Sequence, residues 1–254
     1  MRIASFALPA LLALCSLARG ADAPVSASEL AAQVRSQRLS DGFQVRLRTV
    51  TIDAEGRRGE TDRLALIGQF GPERLRLLVR GIAPSALQGR SVAAQMQADG
   101  RVRVFGQDGS APVADPYMKL FGSELVVWDL LAPWWSWPQQ SIEGTQTLLG
   151  RQCTVLRSRS SALDSPIAEV VSCVVSDGEL SLRTELFDER HALVRRILVT
   201  QTARRESGAL AARQFMVSGV GGRTTEVQVY SADERYFIDA DVFSLLNSGP
   251  ASSH

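Results

Sequence analysis

The chain has 254 residues, with 28 lysine and arginine against 27 aspartate and glutamate, so its net charge of +1 gives no electrostatic footprint for nucleic acid. Three cysteines and two histidines leave little material for a metal centre or an imidazole-based active site. The basic residues are almost all arginine, with Lys119 the only lysine, a bias that in an alanine- and leucine-rich chain reads as genomic base composition.

Arg2, the apolar run Ala4 to Leu17 and the small-residue cluster from Ala18 to Ala23 form the pattern of a cleaved secretory leader. Ala18-Arg-Gly20 satisfies the small-x-small rule, so residues 1–20 are read as a signal peptide and residues 21–254 as a single exported domain. Cys15 follows Leu14, too large for the residue before a lipidated cysteine, which argues against an anchor. No later segment is long and apolar enough for a membrane helix, and the expectation is a soluble periplasmic protein. About 230 residues suit one large β-rich domain or two small ones.

The run from Ser28 to Ser36 reads as a short amphipathic helix, with Leu30 and Val34 four apart on one face. Alternation then takes over. Phe43, Val45 and Leu47 alternate with Gln44, Arg46 and Arg48, and Leu64, Leu66 and Phe70 share a parity. Leu75, Leu77 and Val79 alternate with Arg74, Arg76, Leu78 and Arg80; Val92, Ala94 and Met96, then Val102 and Val104, continue the series. Glu55-Gly56, Gly71-Pro72 and Asp99-Gly100 supply the turns. The pattern is an antiparallel meander with one wet, arginine-rich face.

Residues 121–153, FGSELVVWDLLAPWWSWPQQSIEGTQTLLGRQC, hold all four tryptophans. Gly122-Ser123 is expected to cap a short helix that Pro133 and Pro138 end. Trp134, Trp135 and Trp137 must cover a core, lie on a membrane or close a cavity, and the residue pattern leaves these three open. A second meander follows, with strands expected at 147–157, 168–176, 180–187, 192–201, 212–219 and 224–231, and Asp239 to Leu246 ends the chain as a helical turn or a last strand.

Cys153 and Cys173 are the only cysteines beyond the leader and are expected to be bonded across one hairpin. In the register where they face each other, Val155 meets Val171 and Arg157 meets Glu169. Closing a loop of about 20 residues stabilises by roughly 3 kcal/mol in the chain-entropy picture. No catalytic residue, metal or cofactor is assigned: His191 lies in Asp-Glu-Arg-His, the composition of an exposed turn, and neither a GxSxG elbow nor an Asp-rich calcium loop occurs.

Phe121-Gly-Ser-Glu followed by Trp128-Asp129, then Leu149-Gly-Arg-Gln-Cys153-Thr-Val-Leu156, Leu186-Phe187-Asp188 before Leu193-Val194-Arg195, and Asp241-Val-Phe243 together resemble the LolA-like outer-membrane lipoprotein-sorting family over most of residues 28–246. The resemblance implies a mainly β fold, an incomplete antiparallel barrel covered by short helices. It also implies a non-catalytic periplasmic carrier that shields acyl chains of a lipoprotein or lipid and passes them towards the outer membrane, with an inner-membrane transporter as a further partner. The alternative on the same fold is an envelope sensor or transporter-accessory module that binds a protein. On this template Phe43, Val45, Leu47, Leu66, Leu75 and Leu77 are expected on the concave, cavity-lining face, because their strand neighbours are arginine or glutamine. Trp128, Trp134, Trp135 and Trp137 would line the cavity or its lid. A mobile lid between Pro133 and Pro138 should be lightly buried, whereas a permanent plug would be packed like core.

Overall fold

A computed structural model describes residues 25–106, 115–162, 165–175 and 178–247. The leader assignment therefore lies outside the described residues. Helix α1 (Ala27–Gln37) is followed by strands β1 (Ser40–Ile52), β2 (Arg58–Phe70), β3 (Arg74–Ala83), β4 (Ser91–Gln97) and β5 (Val102–Gly106). A crossover leads to α2 (Val127–Leu131), a short 3-10 turn (Pro133–Ser136), and then β6 (Gln139–Leu148), β7 (Arg151–Arg159), β8 (Glu169–Val175), β9 (Ser181–Phe187), β10 (Leu193–Arg204), β11 (Leu210–Gly219) and β12 (Thr224–Asp233). A 3-10 turn (Ala240–Phe243) and α3 (Ser244–Asn247) end the described chain as helix, not strand.

The two meanders form one antiparallel sheet of 12 strands, in the order β5-β4-β3-β2-β1-β12-β11-β10-β9-β8-β7-β6. β1 pairs with β12, so the last strand of the second meander joins the first strand of the first. β5 and β6 do not pair, and the sheet stays an open half-barrel. The crossover that joins these two edges fills the concave face.

Two clusters occupy that face. In the first, Leu47, Leu64, Leu66, Leu75, Leu77 and Val79 of β1–β3 pack under Leu120, Leu125, Val127 and Leu131 of the crossover. In the second, Leu30, Ala31 and Val34 of α1 meet Trp128, Trp134 and Trp135, with Leu156, Val170, Val174 and Leu186 beneath. Gly68 is required by close approach, since a Cβ there would stand 2.2 Å from the Phe43 ring.

Several expectations are corrected. α1 is capped by Ser26, two residues earlier than read, because Glu29 completes a capping box with it: the Glu29 N–H donates to Ser26 Oγ at 3.3 Å and the Ser26 N–H to Glu29 Oε2 at 2.8 Å. Ser123 caps no helix. Its hydroxyl donates to the Leu120 carbonyl at 2.7 Å and accepts the Leu125 N–H at 3.2 Å, tightening a turn, and α2 begins only at Val127. The strand expected at 147–157 is two strands, split where Leu149 and Gly150 adopt φ of 51° and 69°, the left-handed pair of a two-residue hairpin.

The convex face of β2–β5 is not wet throughout. Ile67, Leu78, Ala93 and Phe105 point outward and are covered by Phe243, with Tyr236, Ile238, Val242 and Leu246 around it, and Arg76 stacks 4.7 Å from the Phe243 ring. The arginine rows therefore serve partly as a platform for the end of the chain.

Cys153 and Cys173 are bonded, in a hairpin two residues out of the expected register. Cys153 faces Val175, Val155 faces Cys173 and Arg159 faces Glu169, so the disulfide runs diagonally over a Cα separation of 5.4 Å. The shift gives Glu169 two partners: Arg159 at 3.0 Å directly opposite, and Arg157 from the diagonal.

Candidate functional site

A cavity of about 810 Å³ opens on the concave side between the end of α1, the start of β1, the tryptophan turn and the ends of β10–β12. The size is that of a small-molecule site. Phe43, Val45, Phe70, Ala132, Trp134, Trp135, Leu210, Ala212 and Val229 give it apolar walls. β12 bulges against β1 where Arg46 pairs with Ser231 and Leu47 with Val229, leaving Tyr230 as the extra residue beside the cavity, 5.0 Å under the Arg48 guanidinium.

Of the ten residues expected at a cavity or lid, Phe43, Val45, Trp134 and Trp135 line this one. Leu47, Leu66, Leu75 and Leu77 share the concave face but are sealed beneath the crossover as core. Trp128 and Trp137 pack in the second cluster, their rings 6.1 Å apart, without reaching the cavity. The light burial expected of a lid is not found: Trp134 is 2% and Trp135 5% exposed, because α1 lies directly against them. They behave as a packed wall of the cavity.

The polar lining was not anticipated. Arg38, one residue past α1, donates from Nη1 to the Leu131 carbonyl at 2.9 Å and from Nη2 to the Leu130 carbonyl at 2.6 Å, tying α1 to the end of α2. Those carbonyls are the unsatisfied acceptors of a helix C-terminus, where a cation is favoured. Burial, and then the like charge of Arg205, lower the Arg38 guanidinium to a pKa of about 10. Its ring neighbour is Phe70, at 5.2 Å.

Asp129 of α2 also reaches the cavity. Burial raises its pKa to about 7, against the opposing pull of Arg195 at 3.5 Å. Arg195 also donates to the Glu124 carbonyl, and the Glu124 carboxylate, fully buried, is held by Lys119 at 2.7 Å with Arg223 at 3.6 Å. Gly219 leaves room for that carboxylate, since a Cβ there would stand 2.4 Å from Glu124 Oε2. This network pins the crossover to β10–β12. Glu124, Asp129 and Arg195 stand in the sequence only within the motifs of the resemblance and none of these residues was expected at a site, because single arginines and acids between strands look like solvated surface.

His191 lies in the exposed β9–β10 turn with φ of 58°, away from the cavity. Among the described residues no group of three or more His, Cys, Asp or Glu is arranged to hold a metal, and no helix is long and apolar enough to cross a membrane.

No protein-family model matches the sequence, and no curated protein matches it either. Solved structures do match the fold. A protein named as an outer membrane lipoprotein-sorting protein domain from Vibrio parahaemolyticus superposes with a TM-score of 0.76 at 12% identity, covering 87% of this chain and 97% of its own. A DUF1329 family protein from Desulfovibrio piger gives 0.75 at 15% identity, over 85% of this chain and 95% of its own. A LolA superfamily protein from Nitrosomonas europaea gives 0.66 at 15% identity, over 85% and 97%. With its open antiparallel sheet, its helix-bearing crossover on the concave face and these structural likenesses, the chain has the LolA-like fold.

Proposed function

We propose that this protein is a non-catalytic carrier of the periplasm that takes the acyl chains of a lipid or lipoprotein into its cavity and hands them on towards the outer membrane. The observation that carries this reading is the cavity itself: about 810 Å³, apolar on its walls, open at one side and set on the concave face of an open sheet. Each methylene moved out of water into such a space contributes about 0.8 kcal/mol, so the site suits a chain that must be shielded across an aqueous compartment and then released. The leader-like residues 1–20 and the bonded Cys153 and Cys173 support an oxidising, extracytoplasmic setting. Mass spectrometry of protein purified without detergent tests the reading. Co-purifying lipid is expected, and a cavity that neither retains nor takes up any acyl chain overturns it.

A second reading, a module that binds a protein partner in the envelope, is favoured by one feature. Much of the concave face is already filled by Leu120, Leu125, Val127 and Leu131, and the cavity occupies one end of it. An inner-membrane transporter would be a partner in either case.

A further inference from the structure

We propose that the cargo is an anionic amphiphile, its chain against the tryptophans and its carboxylate or phosphate head group received by Arg204, Arg205 and Arg38 at the open side of the cavity. This rests on the carrier reading and narrows it. All three arginines line the cavity together. Arg38 meets only carbonyl oxygens and the Phe70 ring, and among the described residues it forms no ion pair. Arg204 donates from Nη1 to the Gly208 carbonyl at 2.5 Å and likewise has no carboxylate partner among those residues. Arg205 meets Glu234 only at 3.6 Å through Nε, with both side chains more than a third exposed, a pair of little strength. Arg205 lies close enough to Arg38 to depress its ionisation.

The acids on the same walls are otherwise engaged. Asp129 is drawn to Arg195 at 3.5 Å, and Glu179 accepts the Leu210 N–H at 2.9 Å. Asp233 accepts the Arg235 N–H at 3.0 Å. Three arginines gathered beside an apolar space, with Glu234 at 3.6 Å their single carboxylate partner among the described residues, are unfavourable unless a further anion completes them. The guanidinium fork matches carboxylate and phosphate oxygens in pairs. A ligand carrying both a chain and an anion would satisfy walls and rim at once.

The test uses the mature, disulfide-bonded protein and four probes below their micelle concentrations at fixed ionic strength: oleate, oleoyl lysophosphatidic acid, oleyl alcohol, and inorganic phosphate alone. Oleate and the lysophosphatidic acid are expected to bind about tenfold tighter than the alcohol, the difference expected of hydrogen bonds to a charged group. In the double variant Arg204→Gln, Arg205→Gln that difference should shrink to what Arg38 can hold alone, no more than about threefold, while the affinity for the alcohol, which carries no charge for the arginines to meet, changes much less. Thermal unfolding of the variant guards against loss of fold, and Arg204→Lys should restore part of the difference. Equal affinity for oleate and alcohol, unmoved by the variant, overturns the head-group site and leaves the carrier reading standing. Phosphate binding as tightly as oleate would instead mark a plain anion site. If no chain binds at all, both readings fall.

Discussion

Asp129 sits 8% exposed on the cavity wall with neither carboxylate oxygen hydrogen-bonded among the described residues, and Arg195 at 3.5 Å only partly offsets its charge. Its pKa is about 7 in the fold against 3.8 in the unfolded chain, so between those values the folded state holds a proton the unfolded chain has released. This group's contribution is undiminished below the unfolded value, falls as pH rises through the window to about 7, and is level above it. The full shift corresponds to a loss on the order of 4 kcal/mol. Asp129→Asn, neutral at every pH, should flatten the fall in melting temperature between pH 5 and pH 8; parallel curves for the two proteins would reject the assignment. Trp135, packed between α1 and the cavity, should cost about 3–5 kcal/mol on truncation to alanine and weaken binding of a fluorescent fatty acid as well. Urea unfolding decides: little loss of stability would restore a mobile lid. At this scale the tryptophans were legible because three large rings in four residues demand an explanation. Arg38, Arg204 and Asp129 were not, because an isolated charge looks the same whether it meets solvent or a cavity.

Elements were legible wherever one face was buried, and ambiguous where the pattern had no parity to offer. β6 is exposed along most of its length as the edge strand, so it shows no alternation and was missed. The β7–β8 register differs by two from the expected one, and the reason is general: a slip of two residues leaves every side chain on its own face, so Val155 still meets an apolar partner, Cys173, and Arg157 still reaches Glu169. What the observed register adds is Arg159 directly opposite Glu169, a second cation for that carboxylate. Because the half-cystines remain diagonal neighbours, reduction should lower stability by roughly 3 kcal/mol without unfolding the sheet. Chemical denaturation with and without reductant measures this, and thiol titration of the denatured, unreduced mature protein, which lacks Cys15, should find no free thiol. The tie between α1 and α2 is a second element-level test. Arg38→Met keeps an apolar stem but removes the guanidinium that stacks on Phe70 and strands the Leu130 and Leu131 carbonyls, which should cost about 1–3 kcal/mol and speed amide exchange in α2. Unchanged exchange would mean that the crossover is held by its apolar contacts alone.

On the scale of the whole molecule, alternation made two meanders separated by an aromatic crossover legible, while the open half-barrel was what the resemblance to the LolA-like family implied; the pattern itself required only that each meander have its apolar face covered. The joining of β1 to β12 was not readable, because it pairs strands nearly the full chain apart and no local turn specifies it. Nor was the cover over the convex face, whose outward Ile67, Leu78 and Phe105 are interleaved with arginines that looked like solvated surface. The sheet therefore separates two apolar compartments: a concave one that carries the cavity, and a convex one closed by the end of the chain. If the carrier reading holds, the second should matter for stability and not for cargo. Phe243 is 2% exposed at the centre of that cover and stacked on Arg76. Phe243→Ala should cost about 3–5 kcal/mol, lowering the melting temperature by roughly 2–4 °C for each kcal/mol in a domain of this size. Fatty-acid affinity below the transition should stay within twofold of the parent, since the Phe243 cluster shares no residue with the cavity wall. A matched loss of affinity at temperatures where the variant is fully folded would show that the convex cover and the cavity are coupled through the sheet.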